Sequence, residues 1–588
     1  MPLGLTPECH IQVTKKSHTA SLADVSSGRR RLIQFMGSIN QSRLENGLRL
    51  EQNLLKRFLI ACAVGASLAF AGAATAVTED PAPATDDPRF DIWEFQIDSG
   101  ALVGSGRIDQ RLIERAVYPH LGPGRTIEDV EAARSDVEKL FRDNGFGTVL
   151  VDIPEQDVIE GMVVLKVVEG KVARLEIADS RYFSLGRIKR QVPSLAPGSV
   201  PYLPHVQKEL QRVNQASPDR VVTPVLRPGK APGTLDVELK VQDELPLHAR
   251  VELNDRFSQN TSRLRLNAEV RYGNLWQREH AITAAYQVAP ENRDNVEVFS
   301  STYSFRLPDS DNVVTLYGVK TTSDVAAIGT LGVVGDGIIG GLRVTLPLPP
   351  RAQWFHSLTL GGDYKNFGES IDLLGADTLN TPISYHVYNA LYSGVLFGDT
   401  GETEMSVAVT AAPRGFGNKT REFQDKRFRA RPNFIYLNAA LSRTQALPFG
   451  AELQLGIEGQ VTDAPLISNE QFGVGGVQSL RGYLESQQFF DDGVRSSIEL
   501  RSPNFGPDLW QFLTTARVHG FVEGASGRIL DALPGQPDTA TLWSAGLGFR
   551  LAALDDFAAD FDWAVPLKSS NQIDAGDSRV HFRVEYGF

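Results

Sequence analysis

Cysteine is almost missing from the 588 residues: Cys9 and Cys62 are the only two. Both lie at or before a segment that reads as cleaved, so the mature chain carries no thiol, as suits an oxidising compartment, and offers no cysteine nucleophile. Basic excess is also missing. With 59 Lys and Arg against 71 Asp and Glu the net charge is -12, which leaves no surplus cation to neutralise phosphates and excludes nucleic acid as a partner. Apart from a short run near residue 60, no apolar stretch approaches the ~18 residues that a transmembrane helix needs. There is no Gly-x-Ser-x-Gly elbow, no His-Glu-x-x-His, and no ligand cluster among the ten His. Catalysis, a metal and a cofactor are therefore not expected.

What is present begins with a targeting signal. Lys56-Arg57, the apolar run Phe58 to Phe70 and the small residues Ala74-Thr75-Ala76 predict a signal peptide over 54–76, cleaved after Ala76. A short membrane anchor is the competing reading, but small residues dilute the run and an acidic, Pro-rich stretch follows it. Residues 1–53 read as an upstream extension, either from a mis-assigned start with Met36 or a site near Leu54 as the true beginning, or as part of an extended signal. Residues 77–89 form a linker.

From Phe90 the pattern becomes regular. Trp93, Phe95 and Ile97 alternate with Glu94 and Gln96 as a strand, and Ile108, Leu112 and Ala116 recur at helical spacing. A second helix starts at Thr126, which with Asp129 makes a capping arrangement; Ile127, Val130, Val137 and Phe141 are its apolar stripe, and Asn144-Gly145 is a left-handed stop. Strands over Val149–Ile153 and Met162–Val168 complete a unit spanning 90–169. The same order of strand, helix, helix, strand, strand recurs over 170–245, with a strand Val172–Ala178, a helical stretch near 185–192, a helix carrying Val206, Leu210 and Val213, and strands near 221–226 and 235–241. Such an α+β unit exposes a strand edge able to pair an extended peptide, although a rigid spacer is the plainer reading.

From 246 to 588 segments of about ten residues alternate in polarity between Gly, Pro, Asn and Asp turns, which predicts a transmembrane barrel of about 16 antiparallel strands. Leu264, Leu266, Ala268, Val270 and Tyr272 interleave with Arg263, Arg265, Asn267, Glu269 and Arg271. A charge at every second position would cost roughly 2 to 4 kcal/mol in lipid near the midplane, so that face must line a wet lumen. Asp560 and Asp562 fall on the lumen face in the same way. The final strand sets Val580, Phe582, Val584, Tyr586 and Phe588 against Arg579, His581, Arg583 and Glu585. Short connections such as 308–311, 398–400 and 448–449 alternate with long ones such as 324–337, 414–427 and 464–493, as expected of periplasmic turns and surface loops. A soluble β-sandwich would not need such charged inner faces.

The repeated α+β unit resembles the POTRA domain. The run Ala196-Pro197-Gly198-Ser199-Val200, Leu210-Gln211-Arg212-Val213-Asn214, Leu226-Arg227-Pro228-Gly229 and Gly233-Thr234-Leu235 is similar to that of two-partner secretion transporters (TpsB type), also described as haemolysin secretion/activation proteins. The long loop carries Gly473-Val474-Gly475-Gly476-Val477-Gln478-Ser479-Leu480-Arg481-Gly482-Tyr483, which resembles the loop-six motif of the POTRA-bearing barrel superfamily. The resemblance implies that Leu480, Arg481, Gly482 and Tyr483 fold back into the lumen. There Arg481 would meet an acidic residue of a strand motif, here Phe521-Val522-Glu523-Gly524-Ala525, where Glu523 replaces Asp and Ala525 displaces the second Gly. A charge-assisted bond between Arg481 and Glu523 fits that role. The glycines of loop six do not sit between a strand and a helix and so do not form a phosphate cradle. Phe588 resembles the terminal aromatic that barrel-assembly machinery reads.

The family implies an outer-membrane transporter whose periplasmic POTRA domains bind an unfolded exoprotein (TpsA type) and pass it through the barrel; the periplasm offers no nucleotide to drive this, and a barrel that closes on itself suits a monomer. Many members plug the barrel with a helix before the first POTRA domain; only Val77 to Arg89 are available here, so no plug helix is expected. An insertase for outer-membrane proteins is the alternative on the same architecture, and a passive porin or receptor a more distant one.

Overall fold

The computed structural model describes residues 88–588 except 99–101, 103–106, 260, 309, 324, 329–330, 369, 374–376, 555 and 572, without the side chains of 323–334 and 369–380. The expected extension, signal peptide, most of the linker and the expected lack of a plug helix lie outside the described residues.

The first α+β unit runs β1 (Phe90–Ile92), β2 (Glu94–Asp98), α1 (Gln110–Val117), β3 (Gly122–Arg125), α2 (Ile127–Asp143), β4 (Leu150–Asp152) and β5 (Met162–Val168). Its three-stranded sheet has the order β2-β5-β4, with β2 parallel and β4 antiparallel to β5. The core joins Val130, Ala133, Val137 and Phe141 of α2 to Val163 and Leu165 of β5. Three details differ from the sequence reading. The first strand breaks at Trp93, whose N–H donates to Gly161 O at 2.8 Å; Ile92 and Phe95 turn inward and Trp93 stays 60% exposed. The short β1 pairs with β3 instead, an element the sequence did not announce. On α1 it is Ile113 and Val117 that are buried, and Ile127, at the first position of α2, is solvent-facing.

At the start of α2 the Thr126 N–H donates to Asp129 Oδ2 at 3.0 Å, one half of a capping box that satisfies an otherwise orphaned helix-end donor. That backbone bond, together with Arg125, holds the Asp129 carboxyl below its ordinary range.

The second unit runs β6 (Lys171–Ala178), α3 (Leu185–Arg190), α4 (Leu203–Ala216), β7 (Arg220–Pro228) and β8 (Thr234–Asp243), in sheet order β6-β8-β7. Val206, Leu210 and Val213 of α4 pack on Val222, Val237 and Leu239. This unit is bonded to the barrel's rim: the buried Arg220 guanidinium meets Glu279 at 2.8 Å, and Asp219 meets His248 at 2.7 Å.

The barrel chain follows as β9 (Leu247–Asn254), β10 (Arg265–Leu275), β11 (His280–Val288), β12 (Val296–Arg306), β13 (Val313–Ser323), the loop hairpin β14 (Val325–Ile328) and β15 (Leu331–Val334), β16 (Gly337–Pro347), β17 (Trp354–Phe367), the loop hairpin β18 (Ser370–Leu373) and β19 (Asp377–Asn380), β20 (Ile383–Gly398) and β21 (Gly401–Ala412). After a loop helix α5 (Thr420–Lys426) come β22 (Phe434–Ala446), β23 (Glu452–Thr462), the small hairpin β24 (Phe472–Val474) and β25 (Gln488–Phe490), β26 (Asp492–Arg501), α6 (Gly506–Leu509), β27 (Leu513–Arg528), β28 (Thr539–Ala553), β29 (Phe557–Pro566) and β30 (Arg579–Gly587). Sixteen of these strands close into one antiparallel barrel. The seam pairs β30 with β9, from Arg583↔Asn254 to Gly587↔Arg250, and Phe588 exchanges backbone bonds of 2.9 Å with Ala249.

Period-two alternation explains the two faces. Leu266, Val270, Ile282, Leu342, Leu441 and Ile457 point outward and are exposed, an apolar belt that suits lipid. Connections on one rim are short, as at 399–400 and 447–451, and those on the other are long, as at 413–433 and 463–491. The longest ends at 491, not 493, because β26 begins at Asp492.

Asp129→Ala removes the acceptor for the Thr126 amide and is expected to cost the start of α2 about 1 kcal/mol. Hydrogen–deuterium exchange of the Thr126 to Val130 amides should speed roughly fivefold, and unchanged exchange would contradict the capping role.

Candidate functional site

Strand β27 carries His519, Phe521 and Glu523 on one face and Val518 and Val522 on the other, where both valines are about half exposed. The inner three face the lumen. Beside them Glu499 of β26 stands opposite Phe521, and Asp562 of β29 lies two strands away. Between β24 and β25 the chain of loop six turns back, and Leu480, Arg481 and Tyr483 are each at most 5% exposed.

Arg481 binds through backbone and side chain together. Its N–H donates to Glu523 Oε2 at 2.7 Å, while Nε and Nη2 reach Glu523 Oε1 at 2.9 and 2.6 Å. Nη2 also donates to Glu499 Oε2 at 2.9 Å, and Nη1 to Asp562 Oδ1 at 3.4 Å. The guanidinium lies 3.4 Å above the centre of the Phe521 ring, so a π face covers the side that no carboxylate reaches. One cation thus joins carboxylates from β26, β27 and β29. Removing one partner of a buried ion pair costs on the order of 3–5 kcal/mol, because the other charge is left without compensation.

The neighbouring residues fix the loop further. Gly482 has φ 90°, a left-handed conformation that favours glycine, and its N–H donates to His581 Nε2 at 3.0 Å. That bond requires an unprotonated Nε2, so the ring proton sits on Nδ1, which donates to the buried Asp255 Oδ2 at 3.2 Å. The Tyr483 hydroxyl lies 2.7 Å from Lys568 O and 2.9 Å from Trp543 O. Leu480 packs with Phe472, Val474, Phe490 and Leu542.

Two glycines of β28 make the cluster sterically possible. His519 and Asp562 each stand opposite Gly548, one from β27 and one from β29, and their 2.6 Å bond passes over it. A Cβ at Gly548 would lie 2.1 Å from Asp562 Oδ1, and one at Gly546 would lie 2.4 Å from the Phe521 ring. Gly524 serves the opposite surface. Its missing Cβ makes room for Trp543, whose ring is half exposed on the lipid side, so Gly524 does not join the lumen cluster. Phe588 also stands apart, at the seam.

Sequence reasoning missed Glu499, His519 and Asp255, and it placed His581 on the polar face of the last strand without a role. Glu499 alternates with Arg495, Ser497 and Arg501 along β26, a pattern that marks it as lumen-facing. Two further anchors of the surface loops were also missed: Glu470 with Lys365 and Tyr385, each at 2.6 Å, and Arg427 with Asp491 at 2.5 Å. Among the described residues no group of three or more His, Cys, Asp or Glu could hold a metal ion.

Comparison with known proteins bears on what such a loop belongs to. Residues 95–170 match the POTRA domain, ShlB-type, and residues 385–551 match the haemolysin secretion/activation protein family ShlB/FhaC/HecB. This chain belongs to the two-partner secretion transporters. Among curated relatives it is 20% identical over 471 residues to the heme/hemopexin transporter protein HuxB of Haemophilus influenzae, covering 77% of this chain and 80% of the relative. It is 23% identical over 193 residues to the outer membrane transporter CdiB of Dickeya dadantii, covering 33% of each. Among solved structures, CdiB from Escherichia coli superposes with a TM-score of 0.58 at 17% identity over 97% of this chain and 100% of that one. BamA from Haemophilus ducreyi lacking POTRA domains 1-3 superposes with a TM-score of 0.52 at 12% identity over 85% and 100%. Both structural likenesses speak to the fold. The transporter sits in the outer membrane with its POTRA domain in the periplasm, and its loop six occupies the lumen.

Gly548→Val would wedge a side chain between His519 and Asp562. Overpacking of this kind costs about 1–3 kcal/mol, so the folded barrel's compact gel band should be lost at a temperature several degrees lower in a heating series. An unchanged transition would show that the bond over Gly548 contributes nothing.

Proposed function

We propose that this transporter receives an unfolded exoprotein (TpsA type) on its two POTRA modules and passes it through the barrel to the cell surface, and that Arg481 is the latch that keeps loop six on one side of the lumen. The observation that carries this reading is the burial of Arg481 among carboxylates of three strands. A loop bonded so heavily to the wall is held in one of a few discrete positions rather than drifting in the channel. The step involves no nucleotide, cofactor or metal and no bond chemistry; folding outside the cell biases the direction of movement.

Recognition in the periplasm would use the sheet edges. Strand β7 carries Pro224 and Pro228, which spoil main-chain pairing, whereas β2 and β6 stand at the edges of their sheets without proline. An extended exoprotein segment added to β2 or β6 would gain main-chain bonds there. Phe588 would be read by barrel-assembly machinery during biogenesis, outer-membrane lipid covers the apolar belt, and a barrel closed on itself works as a monomer.

In a strain carrying Arg481→Ala, secretion of the dependent exoprotein should fall at least tenfold while the folded barrel's amount in the outer membrane is unchanged. Arg481→Lys should restore little, since one ammonium cannot span three carboxylates in a fixed fork. Full secretion by the alanine variant would remove the latch, and defective assembly of unrelated barrels on deletion of the chain would mark an insertase instead.

A further inference from the structure

Cross-strand partners share a face of the wall, so a register row that touches loop six maps the lumen. Arg495 on β26 donates to Gln478 O of loop six at 2.5 Å. Its row continues through Glu458, Ala440, Ser406, Ser393 and Ser357 on β23, β22, β21, β20 and β17. Within six strands the lining passes from paired charge to methyl and hydroxyl groups. Ser357 and Ser393 stand 3.2 Å apart through their hydroxyls, and one row on, Thr345 and Thr359 stand 3.0 Å apart.

The arginine–carboxylate pair on this side lies flat. Arg343 forks onto Asp363 at 2.5 and 2.8 Å and does so over glycines: a Cβ at Gly361 would sit 2.4 Å from Arg343 Cδ, and one at Gly341 would sit 2.4 Å from Asp363 Oδ1. The adjoining wall, from β23 to β29, is different. Glu452, Glu499, Arg501, Arg517, Arg550 and Asp560 project into the lumen and join one another in ion pairs, and loop six rests on that side. A cavity of about 550 Å³ opens against Ser357, Ser393, Glu404, Ser406, Ala440 and Ser442.

We infer that the unfolded exoprotein crosses the barrel along the hydroxyl wall of β17 to β22, while loop six remains latched on the charged wall. Conduction needs contacts strong enough to admit a chain and weak enough to release it. Small hydroxyls exchange hydrogen bonds with a passing backbone, Glu404 is the one carboxylate among the residues lining the cavity, and short side chains leave the width that an extended polypeptide needs. The paired arginines and carboxylates of β23 to β29 would have to break their ion pairs to let a chain through. This inference rests on the transporter reading above.

The test follows the protein that is present in the medium of the parental strain and missing from that of a strain deleted for this chain, quantified by mass spectrometry. Ser406→Trp and Ala440→Trp should each lower its secretion at least fivefold at equal amounts of folded barrel. Should the tryptophan variants fail to accumulate, Ala440→Leu adds less volume and should still lower secretion about twofold. The second arm ties loop six down. Gln487 Nε2 lies 2.7 Å from Asn571 O, and no cysteine follows Cys62, so Gln487→Cys with Asn571→Cys supplies the only bridge in the chain's later part. The oxidised tether should secrete within twofold of its reduced form. Parental secretion by the tryptophan variants would overturn the path, as would a tether that stops secretion until dithiothreitol is added. If parental and deletion media are identical, the transporter reading itself fails and takes the path with it.

Discussion

Burying one guanidinium costs on the order of several kcal/mol unless carboxylates meet it, and the way this chain meets Arg481 decides where much of the lumen's other chemistry lies. Glu523 takes both the backbone and the side chain of Arg481, so the loop cannot rotate away while keeping the pair. Glu499 is shared with Arg501 and Arg550, and Asp562 with His519. The excess of negative charge around Arg481 is therefore distributed over β26 to β29 rather than concentrated at one point.

That distribution needs glycine. Neighbouring strands stand about 4.8 Å apart, so shorter side chains two strands apart meet most directly where the strand between them offers no side chain of its own. Gly548 permits the bond from His519 to Asp562 on one wall and Gly341 the bond from Tyr317 to Asp363 on the other, where Gly361 also lets Arg343 lie against Asp363 of the neighbouring strand. The same device has opposite results. On the charged wall it builds a seat for loop six, and on the hydroxyl wall it presses an ion pair flat and leaves the space above it open.

The architecture was legible because it rests on period. Alternation of two over ten residues, turn residues between, and alternating connection lengths gave sixteen strands and two rims, and the switch to helical spacing marked the smaller units before them. Where two periods met, the reading slipped: Trp93 has the polarity of an inward residue, but the break beside Gly161 turns it out, and Ile127 continues α2's apolar stripe in projection although at the helix's first position it stays largely exposed. At the site, Arg481 and Glu523 were visible through motif resemblance. Their companions were not, because Glu499, His519 and Asp255 meet the loop only through barrel closure and register, which bring together residues as far apart in sequence as Asp255 and His581. Gly548 was invisible for a related reason: one glycine in a strand shows nothing until its two neighbours are known.

These features make the lumen two-sided, with loop six held to one wall by charge and a path left along the other. The measurement that bears on this most directly is the distance between spin labels at Gln478→Cys on loop six and Asp574→Cys on the loop before β30, recorded by pulsed electron paramagnetic resonance in outer-membrane lipid. A latched loop gives one narrow distance distribution that broadens and lengthens when Arg481→Ala is added. A distribution already broad in the parent, or one that the substitution leaves unchanged, would contradict the latch.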